Sequence, residues 1–230
     1  MLSTDLVLAR ARPALPGRSL AFVTLGLAAL LLWDASGLDL AVVRLFGSAQ
    51  GFAWREHWLT SGVLHQGGRW LATGLVVLML VNALRPLWPG LSARERWLAL
   101  AATALCLILI PLIKRASASS CPWDLAEFGG VAQHVSHWSL GVLDGGPGHC
   151  FPSGHASSAF AFFSLFFMLR RAYPQQARLA LSAVLVLGGL YGLTQLARGA
   201  HYPSHTLWTA WICWTLTAAL HSRLLPGGRR

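Results

Sequence analysis

A succession of apolar runs, each close to membrane-crossing length and separated by short polar breaks, decides most of what this chain can fold into. The runs fall at about residues 19–33, 70–88, 97–113, 155–169, 177–197 and 205–220. A helix needs roughly 20 apolar residues to cross a bilayer, so several runs require ends that extend into the flanking loops, or a locally thinned bilayer. Trp33, Trp70, Trp88 and Trp97 stand at run ends, where an indole keeps its ring apolar and its N–H wet. Composition agrees: 55% of the residues are hydrophobic and 11% charged, against about 25% charged in an ordinary soluble domain. That balance excludes a disordered chain and a coiled coil, and four cysteines are too few for a secreted disulfide scaffold. The expectation is an all-α integral membrane protein, a six-helix bundle forming a single domain over residues 1–230.

The first run follows Arg10, Arg12 and Arg18, a layout that a signal peptide shares. Ala35-Ser36-Gly37 is a poor cleavage site, so the run is read as a retained span. Six spans place both termini on one side. Arg10, Arg12, Arg18, Arg85, Arg94, Arg96, Arg170, Arg171, Arg178, Arg223, Arg229 and Arg230 fall on that side; Arg44, Arg55, Arg69, Lys114, Arg115 and Arg198 fall on the other. The positive-inside rule makes the first side cytoplasmic. The net charge of +10 is thus spread between apolar runs by topology, and no nucleic-acid partner is expected. The eight acids are Asp5, Asp34, Asp39, Glu56, Glu95, Asp124, Glu127 and Asp144. None follows Asp144, so no mechanism can draw a carboxylate from the last third of the chain.

Three segments assigned to the outer side gather the chemistry-bearing residues: 114–125, 150–155 and 198–205. Each adjoins a run end, so all three can meet at one membrane face. Lys114, Arg115, Arg198, a serine at a helix start and several imidazoles together make a phosphate site, and two histidines on different segments can divide the work of nucleophile and general acid. Each piece has a plainer reading. Ser153 can be a helix N-cap, Lys114 and Arg115 can snorkel at a span end, and His201 with His205 can pair on one helical face as metal ligands. No nearby acid or cysteine completes that metal set, and no metal is expected. His57, His65, His134, His137 and His149 are read as ordinary outer-loop histidines.

The region 114–208 resembles the type 2 phosphatidic acid phosphatases, which share their site with vanadium haloperoxidases. The family's first motif, Lys, six residues, Arg-Pro, reads here Lys114, six residues, Cys121-Pro122. The second, Pro-Ser-Gly-His, is matched in full by Pro152-Ser153-Gly154-His155. The third, Ser-Arg, five residues, His, three residues, Asp, reads Thr194-Gln195, five residues, His201-Tyr202-Pro203-Ser204-His205. The resemblance implies that His201 attacks phosphorus and becomes phosphohistidine, and that His155 protonates the leaving alkoxide. Lys114, Ser153 and the Gly154 N–H would hold the phosphoryl oxygens. It implies metal-independent chemistry with no cofactor, cationic side chains and N–H groups absorbing the transition-state charge.

Three positions depart: Cys121 and Gln195 stand where phosphate-binding arginines are expected, and His205 where an aspartate orients the nucleophile. The alternative to activity is a degenerate relative that binds lipid phosphates without hydrolysing them. Compensation is the favoured reading. Arg198, one helical turn beyond Gln195, or Arg115 can supply the missing cation, and Asp124 or His205 itself can orient His201. The Cys-Pro-Trp-Asp-Leu segment is similar to that of a distinct subgroup of the family. Cys106 and Cys213 fall inside runs and read as buried thiols. Cys121 and Cys150 flank the first two motifs, and a bacterial periplasm permits their oxidation; we expect a disulfide between them, the alternative being two free thiols.

The resemblance therefore implies a lipid phosphatase of the bacterial inner membrane, termini cytoplasmic and active site facing the periplasm. The substrate's tail would lie among the membrane lipids and its head at the loops. Candidate lipid phosphates are an isoprenoid diphosphate, phosphatidylglycerol phosphate, phosphatidic acid or a lipid A phosphate. A phosphotransferase using the same histidine is the second alternative.

Overall fold

The structure, a computed structural model, describes residues 16–139 and 141–224. It is mostly helical. The first apolar run forms α1 (Pro16–Ser36), which Gly37, at φ 70°, separates from the short α2 (Leu38–Val43). A small antiparallel hairpin follows, β1 (Gly47–Ser48) and β2 (Gly51–Phe52), a minor departure from the all-α expectation. The next rod starts upstream of Trp70: a π-helical segment, Trp58–Gly67, runs directly into α3 (Gly68–Leu84).

Helix α4 (Ala93–Ala116) opens on a capping box, in which the Ser92 Oγ accepts from the Glu95 N–H (3.2 Å) and the Glu95 Oε2 accepts from the Ser92 N–H (2.9 Å). These two bonds satisfy donors that helix geometry leaves orphaned. Two 3₁₀ turns, Pro122–Asp124 and Ala126–Phe128, stand in the long connection that follows. The fourth run is broken into α5 (Ser157–Phe160) and α6 (Phe163–Leu169). Then come α7 (Pro174–Ala197) and α8 (Pro203–Leu224), each opening on a proline, where a missing N–H costs nothing.

Helix α4 packs against α3, α6 and α8, while α6 lies on α7 and α1 on α8. The core between them includes Ala99, Cys106, Ile110, Phe160, Phe163, Met168 and Cys213. Gly188 lets α7 approach α5 closely, because a Cβ there would fall 2.1 Å from the Phe160 ring. Buried hydroxyls pair across helices, Thr103 with Ser164 at 2.6 Å, as bundles in lipid require. The outward faces are apolar: Phe22, Leu32, Trp70, Leu179 and Val186 are all exposed, a pattern that needs lipid or a partner rather than water.

Three helical rods are long and apolar enough to cross a membrane, Trp58–Leu84, Ala93–Ala116 and Pro174–Ala197, the mark of a membrane protein. Of the other three expected spans, Leu20–Ser36 and Ser157–Leu169 are shorter apolar helices. Helix α8 has the length, but His205, Thr209, Thr217 and His221 are buried polar groups along it and dilute its hydropathy. Of the cations behind the cytoplasmic assignment of the termini, Arg10, Arg12, Arg229 and Arg230 lie outside the described residues, as does Asp5.

A second, smaller core covers the end of the bundle where α7 gives way to α8. It joins Val43, Phe52, Leu125, Phe128, Ala132, Leu196 and Tyr202, with Phe52 and Phe128 at 5.0 Å between ring centroids. Arg44 clasps Glu127 through two bonds, 2.6 and 3.0 Å, at the exposed rim. This cap fixes the loops that carry the site.

Candidate active site

The second motif is pinned to α8 by its backbone. The Ser153 N–H donates to the His205 carbonyl (3.1 Å), and the Thr209 hydroxyl donates to the Ser153 carbonyl (2.9 Å). The Ser157 hydroxyl donates to the Gly154 carbonyl (2.6 Å), so α5 starts from a fixed turn. Lys114, in the last turn of α4, runs alongside: its Cδ lies 3.7 Å from where a Gly154 Cβ would stand. The first and second motifs therefore meet.

His201 sits in the turn between α7 and α8. The Ala200 and His201 N–H groups both donate to the Gln195 carbonyl, at 2.8 and 3.3 Å, and Gly199 supplies the positive φ of 71° that reverses the chain. Asp39 of α2 ties down the start of α8, accepting from the Ser204 N–H (2.9 Å) and from the Ser204 hydroxyl. His201 is buried, and its Nδ1 lies 3.4 Å from the His205 Nδ1. Burial drives the His201 imidazole toward its neutral form, well below the usual histidine range, and Lys114 adds to that push. A neutral imidazole is what a nucleophile requires.

Cys121 and Cys150 are joined by a disulfide. The bond ties the Pro122–Asp124 turn to the second motif, and the Trp123 N–H reaches the Gly199 carbonyl (2.9 Å) beside the third. The Cys150 Sγ lies 3.5 Å from the His201 Nδ1. Cys121, Cys150 and His201 approach closely enough to suggest a metal ligand set, but a disulfide sulfur is not a thiolate and holds no metal.

Of the two cations considered as replacements for missing arginines, Arg198 is buried, its Nε donating to the Arg55 carbonyl (2.8 Å), whereas Arg115 is exposed on the last turn of α4. Arg55 in turn stacks over Trp123, 4.5 Å from the ring centroid. Asp124 is occupied locally: its Oδ2 accepts from the Cys121 N–H (3.2 Å), and burial raises its carboxyl above the usual range. Of the two candidates for orienting the nucleophile, His205 is the one that stands beside the His201 Nδ1.

Two histidines read as ordinary loop residues belong to this neighbourhood. His65, from the π-helical segment, lies 4.5 Å from the His155 ring, and Tyr191 lies 4.6 Å from it on α7. π-helical turns recur at functional sites. The available signal was Leu59, Val63 and Leu64, which carry the apolar pattern upstream of Trp70. His137 stacks flat on Phe151 at 4.1 Å and meets His205 edge-on at 5.6 Å; nothing in its local sequence announces that.

Among the described residues, Ser153 Oγ, both ring nitrogens of His155 and the Gln195 Nε2 are buried without a hydrogen-bond partner. Each such group costs about 1–3 kcal/mol, and here they gather beside Lys114 and His201. His155 lies two residues ahead of α5, and burial, then the neighbouring His65, pushes its imidazole down to about 3. Hydroxyl, imidazole, amide and ammonium groups converging on one spot suit a ligand rich in acceptor oxygens and negative charge, which raises the His155 proton affinity when bound.

Comparison with known proteins agrees with that chemistry. A search of curated proteins and a search of solved structures each returned no match. The family model of the PAP2 superfamily matches residues 95–225, more than half of the chain, from the first turn of α4 to the end of α8. With the three motif segments gathered in one place and that match spanning them, the chain belongs to the PAP2 superfamily, whose members are phosphatases acting on phosphate esters.

Proposed function

We propose that this protein is an integral membrane lipid phosphatase that hydrolyses a phosphomonoester or diphosphate through a phosphohistidine at His201. The observation that carries the reading is the gathering of unpartnered buried groups on Ser153 and His155 beside Lys114, next to the buried, neutral His201. The His201 Nε2 attacks phosphorus while the bond to the alkoxide breaks, and His155 protonates that leaving oxygen. Water then attacks the phosphohistidine, returns a proton to His155 and releases inorganic phosphate. Lys114, Ser153, the Gly154 N–H and Arg198 stabilise the charge spread over the phosphoryl oxygens. Every residue in these steps belongs to this chain.

The six apolar runs are proposed to cross the bacterial inner membrane with the site at the periplasmic face. A lipid tail held among the exposed apolar side chains of the bundle fixes the phosphate at the interface, a gain in proximity. The periplasm is oxidising, in keeping with the disulfide beside the site. His205 is proposed to orient His201 in place of a carboxylate, and Arg198 to take the part of the absent arginine. The test is a phosphate-release screen in mixed micelles with phosphatidic acid, phosphatidylglycerol phosphate, an isoprenoid diphosphate and lipid A, chelator present. Release from at least one substrate, abolished by His201→Ala, is the expected result. Binding without release in every case would make the protein a lipid-phosphate binder.

A further inference from the structure

A neutral imidazole can hold His201 in place, but it offsets the cation formed on phosphorylation far less than a carboxylate does. No acid follows Asp144 in the sequence, so the charge has to come from an earlier element. Resting on the reading of His201 as nucleophile, we infer that Asp34, near the end of α1, is a positioning residue that supplies this charge through His137 and His205.

The contacts run in one line. The Asp34 side chain is only 6% exposed, and its Oδ2 accepts from the Trp138 and Trp208 indole N–H groups at 2.8 and 2.9 Å. The same oxygen lies within ion-pair distance of the His137 Nε2, 3.4 Å, and among the described residues neither that nitrogen nor the Asp34 Oδ1 has a hydrogen-bond partner. Phe151 clamps the two intervening rings, stacked on His137 at 4.1 Å and edge-on to His205 at 5.2 Å. The His205 Nδ1 completes the line at 3.4 Å from the His201 Nδ1. A cavity of about 50 Å³ lies alongside, lined in part by Asp34, Asp39, His134, His137, Tyr202 and His205, polar and roomy enough for water to bridge them.

The tautomers follow from the chemistry. For the His201 Nε2 to attack, the His201 proton must sit on Nδ1 and be donated to the His205 Nδ1, which leaves the His205 proton on its own Nε2. As the Nε2–phosphorus bond forms and the ester oxygen departs with the His155 proton, His201 gains positive charge. Charges in a buried region are screened less than in water, so the Asp34 charge favours that imidazolium across the His137 and His205 rings, which meet edge-on. The other charged or titratable groups facing this line are Asp39 from α2, His134 from the same loop as His137, Tyr202 beside His205, His155 of the second motif, and Lys114 from α4.

A merely structural Asp34 would do no more than hold two tryptophans, and Asp34→Asn separates the roles. Asparagine keeps an acceptor oxygen for both indoles and removes the charge. Phosphatidic acid in mixed micelles is the probe, replaced by the isoprenoid diphosphate if that is hydrolysed faster. The expected result is a fall in kcat of about 10-fold, the lower range for partners one shell removed, with KM changed less than about twofold. The acidic limb of the pH profile should also move to lower pH, because losing a negative charge disfavours the imidazolium. In a His205→Asp background, where a carboxylate stands against His201 directly, adding Asp34→Asn should cost less than about twofold. If Asp34→Asn does not fold, His137→Phe keeps the stack on Phe151, removes the imidazole, and is read in the same way. Wild-type-like kcat and pH profile in the variant would overturn this inference alone; a wild-type protein with no turnover would overturn it together with the proposed function.

Discussion

Replacing both Cys121 and Cys150 by alanine should lower stability by an amount the chain itself sets. The bond closes a loop with a sequence separation of 29. Chain entropy for a loop of that size gives about 3.6 kcal/mol at 25 °C. In a chain of this length, each kcal/mol moves Tm by about 2–4 °C, so a loss of roughly 7–14 °C is expected. The loss should extend to turnover, since the Cys150 Sγ packs 3.5 Å from the His201 Nδ1 and the Pro122–Asp124 turn would no longer be tied to the second motif. The assay is tryptophan-fluorescence melting at a single scan rate on detergent-solubilised wild type and double variant, with phosphate release measured in parallel. Thiol labelling of the denatured wild type controls the premise: without reductant only Cys106 and Cys213 should react, and with reductant all four cysteines. A Tm within about 2 °C of wild type, or four reactive thiols before reduction, would refute the reasoning.

Arg198→Ala should raise KM by about 10- to 100-fold, the equivalent of a lost charge-assisted hydrogen bond of roughly 1.5–3 kcal/mol, whereas Arg115→Ala, at an exposed position, should change it less than about twofold; steady-state kinetics on the best lipid of the screen decides. Gly68→Ala places a Cβ 2.8 Å from Tyr191 and 3.1 Å from the His155 Cε1, and a displaced general acid should lower kcat by about 10- to 100-fold while thermal stability changes little. Sulfate stays divalent between pH 5 and 8 and should inhibit competitively. His155, held down to about 3 in the free protein, takes up a proton when the anion binds, so inhibition tightens as pH falls, by up to about tenfold per pH unit. His155→Gln should flatten that slope, and a pH-independent inhibition constant in the wild type would exclude the proton uptake.

The sequence was informative where chemistry is written contiguously. Pro152-Ser153-Gly154-His155 and the spacing from Gln195 to His201 pointed to residues that the fold brings to one end of the bundle, beside Lys114. The apolar runs marked the helices, yet they misplaced the second rod's start, because the π-helical Trp58–Gly67 keeps neither the usual helical period nor a fully apolar face. Helix α8 shows the converse: buried polar groups at His205, Thr209, Thr217 and His221 face protein, so hydropathy understates a helix long enough to cross. His137 and Asp34 could not be read locally, because each reaches the site from an element remote in sequence. Asp124 attracted attention through proximity to a motif, and in the fold its carboxylate caps its own turn.

The most direct measurement is capture of the phosphoenzyme. Wild-type protein incubated with a ³²P-labelled lipid phosphate and quenched in alkali, where phosphohistidine survives, should carry label on the peptide containing His201, and His201→Ala should carry none and release no phosphate. Label on a different residue, or undiminished release from His201→Ala, would contradict the assignment of this imidazole as the group that takes the phosphoryl from the lipid.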